Sequence, residues 1–349
     1  MRPRGLIIHP GATGDVLLSL PAIRSLRASF PDCEFGLLAG SEVGRLLLEC
    51  SEIERLFPIE SGALAGLLAG AEAVSEALRT WLTQCHLAVC WMADPESRLA
   101  QTLLDIRVRS MVVRSPSSPG LVAVRQSDRF LETVQRLVPS AAAEKPLRPP
   151  RHVLENGREQ LSAVSGRGDR VCVVVHPGSG SPHKCTAPAL LARAVDWLEE
   201  IGLAPILVQG PADEQRVAEV VRFCVRSPAT VRGLGLLEVA GFLAHARLYI
   251  GHDSGLTHLA ALLGLPTIAL FGPTDAGRWA PRGPLTQVLT GGPCSCRGWE
   301  AVRRCGGKPC LQVAVGSLIQ ACQNVLATQE TRSEGPDRAI PSLVRPGGV

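Results

Sequence analysis

The chain has few aromatic residues: Phe, Trp and Tyr together fill 4% of its 349 positions. Base-stacking platforms for single-stranded nucleic acid are therefore scarce. An excess of one charge is lacking as well. Thirty-six Lys and Arg face 32 Asp and Glu, a formal net charge of +4 with no long basic tract. No nucleic-acid partner is expected from that balance. Also missing is an apolar run of signal-peptide or membrane-span length. The N-terminal stretch is cut by Gly11 and Asp15, and the richest one, Leu256 to Phe271, by His258, Gly264 and Pro266. A cytoplasmic chain with mostly reduced thiols is the expectation. Finally, the glycine turn near the N-terminus is neither G-x-G-x-x-G nor a phosphate loop ending in Gly-Lys-Ser/Thr.

What is present is ample apolar material. Hydrophobic residues make up 46% of the chain, charged residues only 19%, and the mean hydropathy is +0.16. That excludes an intrinsically disordered chain, and the length suggests about two domains. Short β-like runs alternate with helical patterns, which points to α/β architecture with parallel sheets. Strands are expected at residues 6–9, 35–39, 87–91 and 108–113, with helices at 16–30, 64–84 and 130–137. The stretch 139–151 is proline-rich and aperiodic, and reads as an interdomain linker. Beyond it strands are expected at 171–175, 205–208, 248–250 and 267–271, and helices at 190–200, 213–224, 236–246 and 255–263. The implied domains are 1–145 and 152–330, with a polar tail over 331–349 expected to be disordered. Ile-Ile-His-Pro-Gly at 7–11 and Val-Val-His-Pro-Gly at 174–178 open the two halves alike, as two Rossmann-like units would.

Three segments carry chemistry. In His9-Pro-Gly-Ala-Thr-Gly-Asp15, two glycines turn the chain out of a strand and an acidic residue sits where a helix begins. Asp15 can be an N-cap, or a carboxylate at the lip of a cleft that takes a proton from a substrate hydroxyl. In His176-Pro-Gly-Ser-Gly-Ser-Pro-His-Lys184, Ser179 and Gly180 follow a strand and a lysine follows them. Free amides, a hydroxyl and an ammonium suit a phosphate, although a polar loop would look the same. In Asp253-Ser-Gly-Leu-Thr-His258, a strand ends and a helix begins. That helix start, at the carboxyl end of a strand, favours a diphosphate. Asp253 can also be a cap, and His258 a satisfied helix histidine.

Together the three segments resemble glycosyltransferase family 9, the ADP-heptose:lipopolysaccharide heptosyltransferases. Gly14-Asp-Val with Leu20-Pro21, His176-Pro-Gly-Ser179 with Lys184, and Asp253 to His258 running on to Phe271-Gly-Pro-Thr274 match its motifs in order, between residues 5 and about 325. Cys185 and Thr186 stand where the family commonly has tryptophan after the lysine. An acidic residue after the next strand corresponds to Asp213 or Glu214. The resemblance implies a GT-B fold, two Rossmann-like domains facing across a cleft, the acceptor on the first and the nucleotide sugar on the second. It implies inverting transfer of heptose from ADP-heptose to a lipopolysaccharide core acceptor, with Asp15 as general base and no cofactor or metal. Lys184, Ser179, Gly180 and the amides of Ser254, Gly255, Leu256 and Thr257 would hold the diphosphate, beside His258. Asp253 would contact the sugar, and the segment around Leu234 the adenine. Arg24, Arg98 and Arg114 are candidates for an anionic acceptor, a glycolipid of the lipid A–inner core type met peripherally at the inner membrane. Other readings are a different nucleotide sugar and glycan, a GT-B-like epimerase, or a sugar-nucleotide sensor without catalysis.

Five of the twelve cysteines fall late, at 294, 296, 305, 310 and 322. Cys294, Cys296, Cys305 and Cys310 could in principle ligate zinc or an iron–sulfur cluster, but Cys-x-Cys followed by wider spacing lacks the paired Cys-x₂-Cys of common zinc sites, so reduced structural or redox-variable thiols are expected there. Cys33, Cys50, Cys85, Cys90, Cys172 and Cys224 lie among apolar residues and read as packed small hydrophobes.

Overall fold

The computed structural model describes residues 2–165 and 170–333. Two all-parallel sheets account for the strands. The first contains β1 (Arg4–Ile8), β2 (Glu34–Ala39), β3 (Arg55–Pro58), β4 (Cys85–Cys90) and β5 (Ser110–Val113), in spatial order β3-β2-β1-β4-β5. The second contains β6 (Cys172–His176), β7 (Ala204–Gln209), β8 (Ala229–Arg232), β9 (Leu248–His252), β10 (Thr267–Phe271) and β11 (Thr286–Thr290), in order β11-β10-β9-β6-β7-β8. Each sheet starts in its middle, runs outward to one edge, then crosses back beside its first strand. This doubly wound order leaves a crevice at the carboxyl ends of β1 and β4, and another at those of β6 and β9. All five residues of β6, β9 and β10 are buried. Strands covered by helices on both faces require such continuous apolar runs.

The strand–helix alternation expected from the sequence is present, with shifts at the ends, but β3, β8 and β11 and the helices Ser41–Glu49 and Arg98–Asp105 are not among the expected elements. The helix expected at 16–30 is two, Thr13–Leu18 and Leu20–Ser29, because Ser19 turns its hydroxyl onto the Val16 carbonyl (2.7 Å) and Pro21 then starts a new helix. The helix expected at 64–84 is likewise broken, into Ala63–Ala69 and Glu76–Leu82, around Gly70 at φ +117°. The linker ends at Pro150, and the helix Arg151–Ser165 that follows has no counterpart among the expected elements. It packs on the helix Leu236–Leu243, where Gly157 and Gly241 let the two backbones touch: a Cβ on Gly157 would lie 2.2 Å from the Gly241 carbonyl carbon. The helix Val315–Ser333 takes in the first three residues of the expected tail; residues 334–349 lie outside the described residues.

One apolar core runs through both domains, from Ile7, Leu37 and Phe130 to Val174, Tyr249 and Leu259. A second fills the far face of the second sheet, where the helices Pro188–Glu200 and Val315–Ser333 pack. Residues 309–328 are long and apolar enough to cross a membrane, with a mean hydropathy of 1.3. However, Leu318, Ala321, Cys322 and Leu326 point that helix into this core, as in a globular domain.

Several contacts join the domains directly. Glu42 accepts from the Leu236 amide (2.8 Å), Arg278 donates to Gln126 (2.9 Å), and Arg282 pairs with both Asp128 and Glu144. Near the linker they enclose a cavity of about 250 Å³ lined by residues that include Pro21, Lys145, Leu262 and Pro284.

Candidate active site

The site forms where the carboxyl ends of β1, β6 and β9 meet. After β1 the chain turns through Gly11, where a Cβ would lie 2.7 Å from the His9 ring and 3.0 Å from the Asp15 Cβ, so only glycine allows that approach. His9 is buried between Trp91 and Phe130, accepts from the Gly11 amide at Nδ1 (3.1 Å), and is held neutral by burial, which lowers its pKa to about 4. Asp15 is the third residue of the helix Thr13–Leu18, whose N-cap is Ala12, so it is not the cap. Burial pushes its carboxyl above the usual carboxylate range; a hydrogen bond from the Ala12 backbone and the field of Lys184 oppose that shift, and the field of Asp253 adds to it. The helix that carries Asp15 abuts the start of the helix Gly255–Leu262, where a Cβ on Gly255 would lie 3.1 Å from the Thr13 Cβ, so Asp15, of the first domain, stands beside the loop of the second that holds Asp253.

Lys184 ends a short 3₁₀ turn, Pro182–Lys184, started by Ser181, whose hydroxyl accepts from the His183 amide. Its ammonium lies 2.7 Å from Asp253 Oδ2 and 5.7 Å from the centre of the Trp299 ring. The Ser179 hydroxyl donates to the Asp253 carbonyl (2.6 Å), which ties the β6 loop to the β9 loop. Gly180 is exposed, with open space where a side chain would stand. Ser254, not Asp253, is the N-cap of the helix Gly255–Leu262. As the first two residues of that helix, Gly255 and Leu256 have amides with no intrahelical acceptor. The Thr257 amide is taken by the Ser254 carbonyl (3.1 Å), and its hydroxyl turns inward to the His252 carbonyl and Tyr249. Thr257 thus shapes the turn, and the amides left for an anion are those before it.

His258 is not the satisfied helix histidine the sequence allowed. It is buried, Nδ1 has no partner among the described residues, Nε2 is 4.0 Å from Asp253 Oδ1, and desolvation lowers its pKa to about 4. Its ring abuts the first domain: a Cβ on Gly14 would lie 3.1 Å from His258 Cδ2. Leu234 is half-buried between β8 and the helix Leu236–Leu243, two strands away from Lys184. Of the acceptor-side arginines, Arg24 is buried and bonded to Glu52 (2.5–3.1 Å) and to the Lys145 carbonyl; that pairing makes it a structural group, unfree to bind an acceptor. Arg98 is exposed and pairs with Glu96.

A supporting layer had little sequence signal. His176 Nε2 meets Asp213 Oδ2 at 2.9 Å, and Asp213 also accepts from the Gly210 amide (3.0 Å). Burial raises the Asp213 pKa, but the His176 hydrogen bond and charge outweigh it, and the net shift is downward. His252, which burial holds neutral with a pKa lowered to about 3, accepts from the Thr186 amide (3.0 Å) and so fixes the chain just after Lys184. Two hints were available: the repeated His-Pro-Gly put histidines at both strand ends, and the family resemblance pointed to an acidic residue at Asp213 or Glu214.

The arrangement puts a desolvated carboxylate on one domain against an ammonium and a helix start on the other. That suits a displacement in which a proton leaves an acceptor hydroxyl while negative charge builds on a departing diphosphate. Fold and site together define a GT-B glycosyltransferase.

The comparisons with known proteins agree. The model of glycosyltransferase family 9 (heptosyltransferase) matches residues 131–297. Lipopolysaccharide heptosyltransferase 3 of Escherichia coli is 26% identical over 284 residues, covering 77% of this chain and 83% of that one. Among solved structures, a family 9 glycosyltransferase from Veillonella parvula superposes with a TM-score of 0.77 at 18% identity, covering 93% of this chain and 98% of that one. An E. coli heptosyltransferase solved with ADP gives 0.65 at 18% identity, covering 92% and 99%. The chain belongs to glycosyltransferase family 9, the heptosyltransferases.

Proposed function

We propose that this enzyme transfers heptose from ADP-heptose, with inversion, to a lipopolysaccharide core acceptor. Asp15 is the general base that removes the acceptor hydroxyl proton. Lys184, the Ser179–Gly180 loop and the amides of Gly255 and Leu256 receive the diphosphate. The observation that carries this reading is that the Asp15 helix abuts, across the two domains, the helix start beside the Lys184–Asp253 pair. A base on one side and a cation on the other is what a single inverting displacement needs, and a sensor that only binds needs no base. Lysine and a helix start can neutralise the leaving ADP without a metal. The E. coli enzyme solved with ADP supports the choice of nucleotide, and the E. coli heptosyltransferase 3 supports the acceptor class. The enzyme works in the cytoplasm, with peripheral contact to the inner membrane through its glycolipid acceptor. A thermal-shift panel of ADP, UDP and GDP tests the donor: ADP is expected to stabilise the protein selectively, and selective stabilisation by UDP would overturn the assignment. A donor-only assay separates transfer from epimerisation, since an epimerase turns over its substrate with no acceptor present.

A further inference from the structure

We propose that Cys294, Cys296, Cys305 and Cys310 form a tetrahedral thiolate site for one zinc or iron(II) ion. It would staple the loop between β11 and the last helix against the donor-side lysine. In sequence the spacing is an unpromising Cys-x-Cys-x₈-Cys-x₄-Cys, but the fold removes that objection. Gly291 donates to the Cys310 carbonyl (2.9 Å) and Gly292 to the Pro309 carbonyl (2.9 Å), so the loop is closed at its base and its two ends lie side by side. The helix Gly298–Arg304 then carries the chain back and delivers Cys305 to the first pair. The sulfurs of Cys294, Cys296 and Cys305 lie within 4.8 Å of one another, and the Cys294–Cys296 pair is at 3.1 Å. Cys310 is buried at the base of the loop, where its carbonyl accepts from the amide of Gly291, three residues before Cys294. Four sulfurs about 2.3 Å from one zinc ion stand about 3.8 Å apart; the first three lie within 4.8 Å of one another, and Cys310 would supply the fourth. At 3.1 Å the first pair is well beyond a disulfide bond, about 2.0 Å.

Two further observations point to a bound ion. Between Gly292 and Pro309 only Val302 is buried, so the loop has no apolar core of its own. Segments of this size without a core depend on a staple. The loop is also basic: Arg297, Arg303, Arg304 and Lys308 outnumber its single acid, Glu300. A divalent ion with four thiolates carries two net negative charges, which such neighbours offset. Binding displaces the thiol protons to solvent and needs no oxidant. The loop matters to the site beside it, because it places Trp299 by Lys184 and the Lys308 ammonium 3.1 Å from His183 Nδ1.

The test uses the full-length enzyme, reduced and stripped of metal under anaerobic conditions, titrated with Co²⁺ and then Zn²⁺. One equivalent of Co²⁺ is expected to give thiolate-to-cobalt absorption and tetrahedral d–d bands, which one equivalent of Zn²⁺ abolishes. Metal analysis of protein isolated without stripping distinguishes zinc from iron. Cys294→Ser and Cys305→Ser should each weaken Co²⁺ binding by roughly 100-fold or more, whereas Cys224→Ser, outside the cluster, should not. If the serine variants fail to fold, alkylation of the wild-type protein decides: Zn²⁺ should protect four of the twelve cysteines, and these four. Less than a tenth of an equivalent of bound Co²⁺, or equal alkylation of the four with and without Zn²⁺, overturns the proposal. These readouts need no donor or acceptor, so they stand apart from the assignment of ADP-heptose.

Discussion

Replacing Lys184 by methionine separates what the lysine does for the fold from what it does for the ligand. Its ammonium is 2.7 Å from Asp253 Oδ2, with the lysine side chain 22% and the aspartate 8% exposed. Removing the cation leaves a nearly buried carboxylate whose other cationic prospect, His258 Nε2, is 4.0 Å away and neutral. Breaking fully buried pairs costs about 3–5 kcal/mol, and the part-exposed lysine brings the expected loss down to about 1–3 kcal/mol. For a domain of this size that is a fall in Tm of roughly 2–4 °C per kcal/mol. Binding should suffer separately. A charge-assisted hydrogen bond to a phosphate contributes about 1.5–3 kcal/mol, so the ADP Kd measured by titration calorimetry should rise roughly 10- to 150-fold. The decisive variant combines Lys184→Met with Asp253→Asn. It removes the orphaned charge, so the Tm should recover while the ADP affinity stays low. Recovery of affinity together with stability would refute the reasoning, as would a Lys184→Met enzyme that binds ADP within about twofold of wild type.

Further outcomes follow from the supporting layer. His9, His252 and His258 have folded pKa values of about 4, 3 and 4, against 6.5 unfolded. The unfolded chain therefore binds more protons as pH falls below 6.5, and stability should drop by up to about 1.4 kcal/mol per pH unit for each histidine until the folded values are reached. Denaturant midpoints at pH 7, 6 and 5 measure this, and a flat profile would contradict it. Asp213 has a lowered folded pKa, so its contribution is present above its unfolded value of 3.8 and is lost only as pH falls further. Gly178→Ala should destabilise by roughly 1–3 kcal/mol, because the new methyl would sit 1.8 Å from Asp213 Oδ1 and push that carboxylate off His176. Chemical denaturation reads that loss, which Asp213→Asn alone should largely reproduce.

The parts of this site that were legible in sequence are those where one residue's chemistry has to stand at a strand end. Asp15, Ser179, Lys184 and Asp253 each follow a buried strand within eight residues, and parallel topology then brings the loops after β6 and β9 together. The supporting partners were not legible, because nothing local relates His176 to Asp213, 37 residues on, or Thr186 to His252, 66 residues on. Nor could spacing show that Arg24, a plausible acceptor contact, is neutralised by Glu52. The helix breaks at Ser19 and Gly70 had marks in Pro21 and Gly70 themselves, which the apolar runs on either side masked. The late cysteines are the opposite case: their spacing spoke against a shared site, and only the pairing of Gly291 with Cys310 and Gly292 with Pro309 reveals that the ends of the loop coincide.

Asp15→Asn tests the central claim most directly. Burial raises the Asp15 pKa, so its ionised form is held at a cost and the neutral asparagine should leave the Tm unchanged or higher. Loss of activity could then not be ascribed to misfolding. A general base is worth about 10²–10⁴-fold, and the transfer rate should fall by that factor with the ADP Kd nearly unchanged. In the wild-type enzyme, kcat/KM should decline as pH falls through a pKa above the ordinary carboxylate value, and the variant should lack that limb. An Asp15→Asn enzyme that transfers heptose at the wild-type rate would contradict the account.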